Sequence, residues 1–302
     1  MSVASRPTGA LVLLFMGAAA IGSSAIWVRL AETGPVATGF WRIALALPFL
    51  WAWAFVAGRQ ARAAAPDAAG TPPPSDLRGL CAAGAFFAGD LAFWHWSILH
   101  TSVANATLLA NIAPFFVVIA GWLWPRERIA GGFVAGLCLA FAGTLMLVGA
   151  DFAHGGRALV GDALGVVTAL FYAAYLLSLK DLRARVSTAR IMAVSGTVTA
   201  ALLLPLALLV GDRILPESAS GWLTLAGLAL VSQVAGQSLI AFAFAHLPAS
   251  LASVGLLLQP LAATVFAWAV LGEGITALQA CGGIAVLAGI RLAQQASART
   301  SG

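Results

Sequence analysis

The sequence predicts an all-α integral membrane protein: ten transmembrane helices, arranged as two inverted five-helix repeats around a central cavity. Three observations carry this. Of 302 residues, 61% are hydrophobic and 9% charged, with a mean hydropathy of +0.95, whereas ordinary soluble domains carry about 25% charged residues. Pro, Gly and charged residues cut the chain into ten apolar runs, each near the roughly 20 residues that span about 30 Å of hydrocarbon as a helix. The second half of the chain also repeats the first.

The runs follow in order. The first, 10–30, carries Trp27. Arg6 before it would suit a cleaved leader, but removal would leave nine spans and break the repeat, so it is read as a span. The second, 35–57, holds Arg42 and Pro48. A connector of flexible composition, "RQARAAAPDAAGTPPPSDLR", leads on. The third, 79–99, sets Asp90, Trp94 and His95 inside "AFFAGDLAFWHWSILH". The fourth, 102–124, has Asn111 three residues before Pro114, and the fifth, 130–150, has Gly132 and Gly136. The sixth, 159–179, holds the two tyrosines of the chain, Tyr172 and Tyr175. The seventh, 190–210, contains Pro205, and the eighth, 220–244, Gln233 and Gln237. In the ninth, 248–271, Gln259 directly precedes Pro260. The tenth, 275–293, carries Ala285 and Gly289.

Shifting the chain by 146 residues lays His100 on His246, Pro114 on Pro260, Trp122 on Trp268, Glu127 on Glu273, Gly136 on Gly282 and Gly143 on Gly289, without a gap. Gly39 and Pro48 match Gly196 and Pro205 at an offset of 157. Residues 1–150 and 151–302 are therefore read as two repeats. Five spans is an odd number, so the second repeat enters the membrane from the opposite side. Inverted repeats around a midplane site are a transporter architecture.

The net charge of +5 points to orientation, not to nucleic acid. With the N-terminus cytoplasmic, twelve of the 16 Lys and Arg residues fall on inner segments: Arg6, Arg59, Arg62, Arg78, Arg126, Arg128, Lys180, Arg183, Arg185, Arg190, Arg291 and Arg299. The positive-inside rule then puts both termini in the cytoplasm of a bacterial-type inner membrane, with the lipid bilayer as partner. Cys81, Cys138 and Cys281 stand alone, no cofactor or metal spacing is present, and HExxH and GxSxG are absent. An enzyme is disfavoured. A passive channel is disfavoured by the proline-interrupted inverted repeat.

"LLANIAPFFVVIAGWLWPRERI" and "LLLQPLAATVFAWAVLGEGI" resemble the paired motifs of the EamA-type transporters of the drug/metabolite transporter superfamily. In those motifs a helix with a central Pro ends in a short loop bearing Glu. "GFWRIALALPF" is similar to that family's Arg-bearing second helix. The resemblance covers essentially the whole chain. It implies ten helices, inverted repeats, both termini inside and export of small metabolites. Within the family, the chain resembles the YddG-like exporters of aromatic and other neutral amino acids.

A charged Asp at a helix centre costs about 2.5–3.5 kcal/mol on insertion scales, so Asp90 must be neutral, paired or wet. Arg42 lies about 10 Å and Asp90 about 14 Å below the outer ends of their helices. Two readings are open: a structural ion pair, or a site in which Arg42 holds a carboxylate and Asp90 an ammonium or a proton. The second suits an amino acid as small-molecule substrate. Trp94, Tyr172, Tyr175, Gln233, Gln237 and Gln259 join it as candidate substrate-binding residues, against the alternatives of aromatic belt and helix glue. Phase turns His95 away from Asp90, toward a hydrogen bond with a neighbouring helix. Pro48, Pro114, Pro205 and Pro260 are either static kinks or hinges. The small-residue pairs on the fifth and tenth helices would pack within the chain or join a homodimer. A nucleotide-sugar or phosphate-ester carrier would need more deep cations than Arg42.

Overall fold

The protein is described by a computed structural model covering residues 7–64, 74–101, 103–123, 130–148, 156–272 and 274–300. Glu127, Glu273 and part of the connector before the third span lie outside the described residues. The described secondary structure is helical: α1 Pro7–Gly22, α2 Ser24–Leu30, α3 Pro35–Ala44, α4 Leu47–Ala64, α5 Pro74–His100, α6 Val103–Ala110, α7 Ala113–Leu123 and α8 Gly131–Val148. There follow α9 Gly156–Leu182, α10 Thr188–Leu209, α11 Ala219–Gly227, a π-helical segment Leu228–Gln237, α12 Ser238–Phe244, α13 Ala249–Gly255, α14 Leu258–Leu271 and α15 Ala277–Thr300.

Eight helical stretches among the described residues are long and apolar enough to cross a membrane, and Gly131–Leu147 is a shorter apolar helix. At 27 residues, α5 is long enough to cross, but Asp90 and His95 lower its hydropathy. Four expected spans are interrupted. Ser23 parts α1 from α2, where the Ser23 and Ser24 hydroxyls bond back to Ala20 O and Ile21 O at 2.7 and 2.5 Å. Turns at 45–46, 111–112 and 256–257 stand two to three residues before Pro48, Pro114 and Pro260. Each proline lacks the N–H that would continue the helix there. Pro205, by contrast, sits inside the unbroken α10.

The helices form one bundle. α5 packs on α9 and α10, α1 on the π segment, α12 and α14, α6 and α7 on α9, α3 and α4 on α10, and α13 on α7. α8 pairs with α15 at backbone contact: a Cβ added to Gly136 would stand 2.7 Å from Gly289 O, and one added to Gly282 would stand 2.7 Å from Gly143 O. The small-residue stripes of the fifth and tenth spans are thus used inside the chain.

Polar clasps close the bundle at both ends. At one end the Glu32 carboxylate accepts from the Glu217 and Ser218 N–H groups, at 2.8 and 3.0 Å, and from the Ser218 hydroxyl. It thereby caps the start of α11. Asp212 does the same for α3, accepting from Ala37 N–H at 2.9 Å. At the other end Arg185 joins Asp76, which is buried at the start of α5, and Asp181, both at 2.8 Å. The Ser218 hydroxyl and backbone bonds hold the Glu32 carboxyl below the ordinary Glu range. A lowered folded-state pKa contributes stability above the unfolded value and loses it as pH falls through the folded one. Glu32→Gln should therefore lower the melting temperature at pH 7, with the difference shrinking as the pH drops below about 4.5, the unperturbed range. Thermal melts in detergent across pH check this.

Candidate transport site

Four helices bring the intramembrane polar residues together. Arg42 comes from α3, Asp90 from α5, Tyr172 from α9 and Gln233 from the π segment. Arg42 Nε donates to Gln233 Oε1 at 3.2 Å, across 191 positions of sequence. Gln233 is 1% exposed, and its amide nitrogen has no hydrogen-bond partner. Arg42 and Asp90 are close enough to interact electrostatically. Among the described residues the two form no ion pair within 4.0 Å. The Asp90 carboxylate makes no hydrogen bond to the described residues, and both Arg42 and Asp90 are only partly buried. A carboxyl group and a guanidinium held near each other, not joined in an ion pair and only partly buried, can take a ligand bearing both a carboxylate and an ammonium.

The other expected residues divide by depth. Trp94 stands one turn beyond Asp90 on the same face of α5 and is partly buried, its ring edge-on to His95 at 4.9 Å. Gln259, near the start of α14, approaches the Tyr172 hydroxyl, but its amide nitrogen is buried without a hydrogen-bond partner. Tyr172 is partly buried and stacks toward Tyr175, with centroids 6.4 Å apart. Tyr175 and Gln237, at 0% and 1% exposure, bond to each other instead: Gln237 Nε2 donates to the Tyr175 hydroxyl at 3.1 Å. They lie about one turn from Tyr172 and Gln233, on the Arg185 side. His95 bonds Leu91 O of its own helix at 2.5 Å, not a neighbouring helix. Its ring fills the space left by Gly39, 3.1 Å from where a Cβ would stand.

Sequence reasoning missed the Arg42–Gln233 bond and Phe87. The first joins residues whose spans no periodicity links. Phe87 stacks on Tyr175 at 4.7 Å, and its place one turn before Asp90 was the available signal. The π helix was also unforeseen. Hydrogen bonds of the i→i+5 kind are rare and frequent at functional sites, and this segment carries Gln233 and Gln237. Among the described residues no three His, Cys, Asp or Glu side chains gather as a metal site.

A bundle of apolar helices enclosing a partly accessible charged pair defines a multi-pass membrane transporter. The comparisons agree. The EamA-like transporter family model matches residues 8–149 and again 159–294, and the chain belongs to that family. The pseudopaline exporter CntI of Pseudomonas aeruginosa is 27% identical over 197 residues, 65% of this chain and 68% of that protein. An uncharacterized transporter of Archaeoglobus fulgidus is 25% identical over 276 residues, covering 88% of this chain and 90% of that one. A solved crystal structure with 18% identity superposes with a TM-score of 0.78, over 95% of this chain and 98% of the other, and shares the fold.

Proposed function

We propose that this protein exports small zwitterionic metabolites, foremost aromatic and other neutral amino acids, by alternating access between two inverted five-helix halves, residues 1–150 and 151–302. One observation carries the cargo assignment. Arg42 is held by the neutral Gln233 and not by Asp90, so both charges stay available, Arg42 for a carboxylate and Asp90 for an ammonium. Trp94 and Tyr172 add aromatic surface, where cation–π contact contributes about 0.5–2 kcal/mol. Gln259 supplies an unpaired amide donor.

The two-half architecture is supported by the double family match and by the contacts. Exchanging the halves maps α5 on α9 onto the eighth span on α1, and leaves α8 on α15 as its own counterpart. The helix breaks before Pro48, Pro114 and Pro260 are bending points for the rocking motion, whereas Pro205 lies inside the unbroken α10. The basic residues at the Arg185 end support a cytoplasmic location for that end by the positive-inside rule, in an inner membrane.

The matching exporters also offer pseudopaline itself as a competing cargo. Uptake of labelled phenylalanine into liposomes holding the purified protein, with and without a pH gradient and against pseudopaline as competitor, tests the reading. Saturable uptake competed by neutral amino acids is expected, and its response to the gradient reports whether transport is proton-coupled. Competition by pseudopaline alone would replace the amino-acid reading.

A further inference from the structure

Below the partly accessible residues Arg42, Asp90 and Tyr172 lies a second layer, closer to the Arg185 end. Phe87, three residues before Asp90 on α5, is 3% exposed, Tyr175, three after Tyr172 on α9, 0%, and Gln237, four after Gln233 on the π segment, 1%. The offsets place this layer about 4–6 Å deeper along each helix. Its members touch in series: Phe87 stacks on Tyr175 with 4.7 Å between centroids and an interplanar angle of 19°, and Tyr175 accepts from Gln237 at 3.1 Å.

We infer that Phe87, Tyr175 and Gln237 form the gate that separates the charged site from the Arg185 end, and that the Gln237–Tyr175 hydrogen bond is its latch. Three helices supply the layer, α5 from the first half of the chain and α9 and the π segment from the second. Relative motion of the halves must therefore part Phe87 from Tyr175. The layer holds no charge, so opening strands no ion. The single polar pair satisfies itself when closed and is hydrated when open, which keeps the barrier tight but reversible.

The inference rests on transport as the family's function and not on the cargo, and its test needs no substrate. The three exposed cysteines, Cys81, Cys138 and Cys281, are replaced by Ser. Ala83→Cys then puts a thiol at a position of 0% exposure, one turn below Phe87 on the same face of α5. Its reaction with a small methanethiosulfonate is followed on purified protein in nanodiscs. Labelling should be slow, and Tyr175→Phe or Gln237→Leu should each speed it on the order of tenfold, with no further gain from both together, since both remove the same bond. A cysteine replacing Ala140, equally buried in the α8–α15 seam, should not respond. Unchanged Ala83→Cys labelling in either folded variant, or an equal rise at Ala140→Cys, would overturn the gate.

Discussion

Arg42→Gln is expected to weaken cargo binding by about 2–4 kcal/mol, roughly 30- to 700-fold, the cost of truncating one partner of a desolvated charge pair. The guanidinium is the deep cation nearest Asp90, and Gln233 Oε1 fixes its Nε edge. Its remaining N–H groups are then free to hold a carboxylate bidentately. Without it, a cargo carboxylate would enter a low-dielectric site beside Asp90 with no countercharge. Arg42→Lys should recover little, because an ammonium cannot keep the Gln233 bond and also present a two-pronged face. Equilibrium binding of labelled phenylalanine to the purified protein checks this, with melting temperature as the control for folding. Undiminished affinity in Arg42→Gln would remove Arg42 from the site.

Gly289→Leu should destabilise the bundle by about 3 kcal/mol or more, the upper range for overpacking a tight interface. A Cβ there would meet Gly136 O at 2.6 Å and Ala140 Cα at 2.8 Å, all of it backbone that cannot swing aside. The seam repeats the problem at Gly136, Gly143 and Gly282, so the helices cannot separate at one glycine without losing contact at the others. A fall in melting temperature and loss of monodispersity on gel filtration are expected. Gly58, with nothing within 4 Å of an added Cβ, provides the contrast: Gly58→Ala should be neutral or slightly stabilising, since Ala is the better helix former.

Long apolar periods made the helices legible in the sequence. The expected third span, 79–99, falls within Pro74–His100, and the expected seventh, 190–210, overlies Thr188–Leu209. Composition and proline spacing also pointed to the breaks before Pro48, Pro114 and Pro260. Pro205 escaped the rule: α10 is packed by α3, α4 and α5, and tertiary contact outweighs one lost hydrogen bond. For the site, one-residue arguments singled out Asp90 and Arg42, because an uncompensated charge in hydrocarbon is expensive wherever it occurs. They did not foresee that Tyr175 and Gln237 hydrogen-bond each other. Pairings across helices, such as Arg42 with Gln233, depend on crossing geometry that no local pattern encodes.

The most direct test of a site for paired charges is to remove each charge from the ligand. In the proteoliposome uptake assay, unlabelled phenylalanine should compete strongly, whereas phenylethylamine, which lacks the carboxylate, and 3-phenylpropionate, which lacks the ammonium, should each compete at least about tenfold more weakly, the loss of one charge-assisted hydrogen bond. Equal competition by either analogue would contradict recognition of a zwitterion between Arg42 and Asp90.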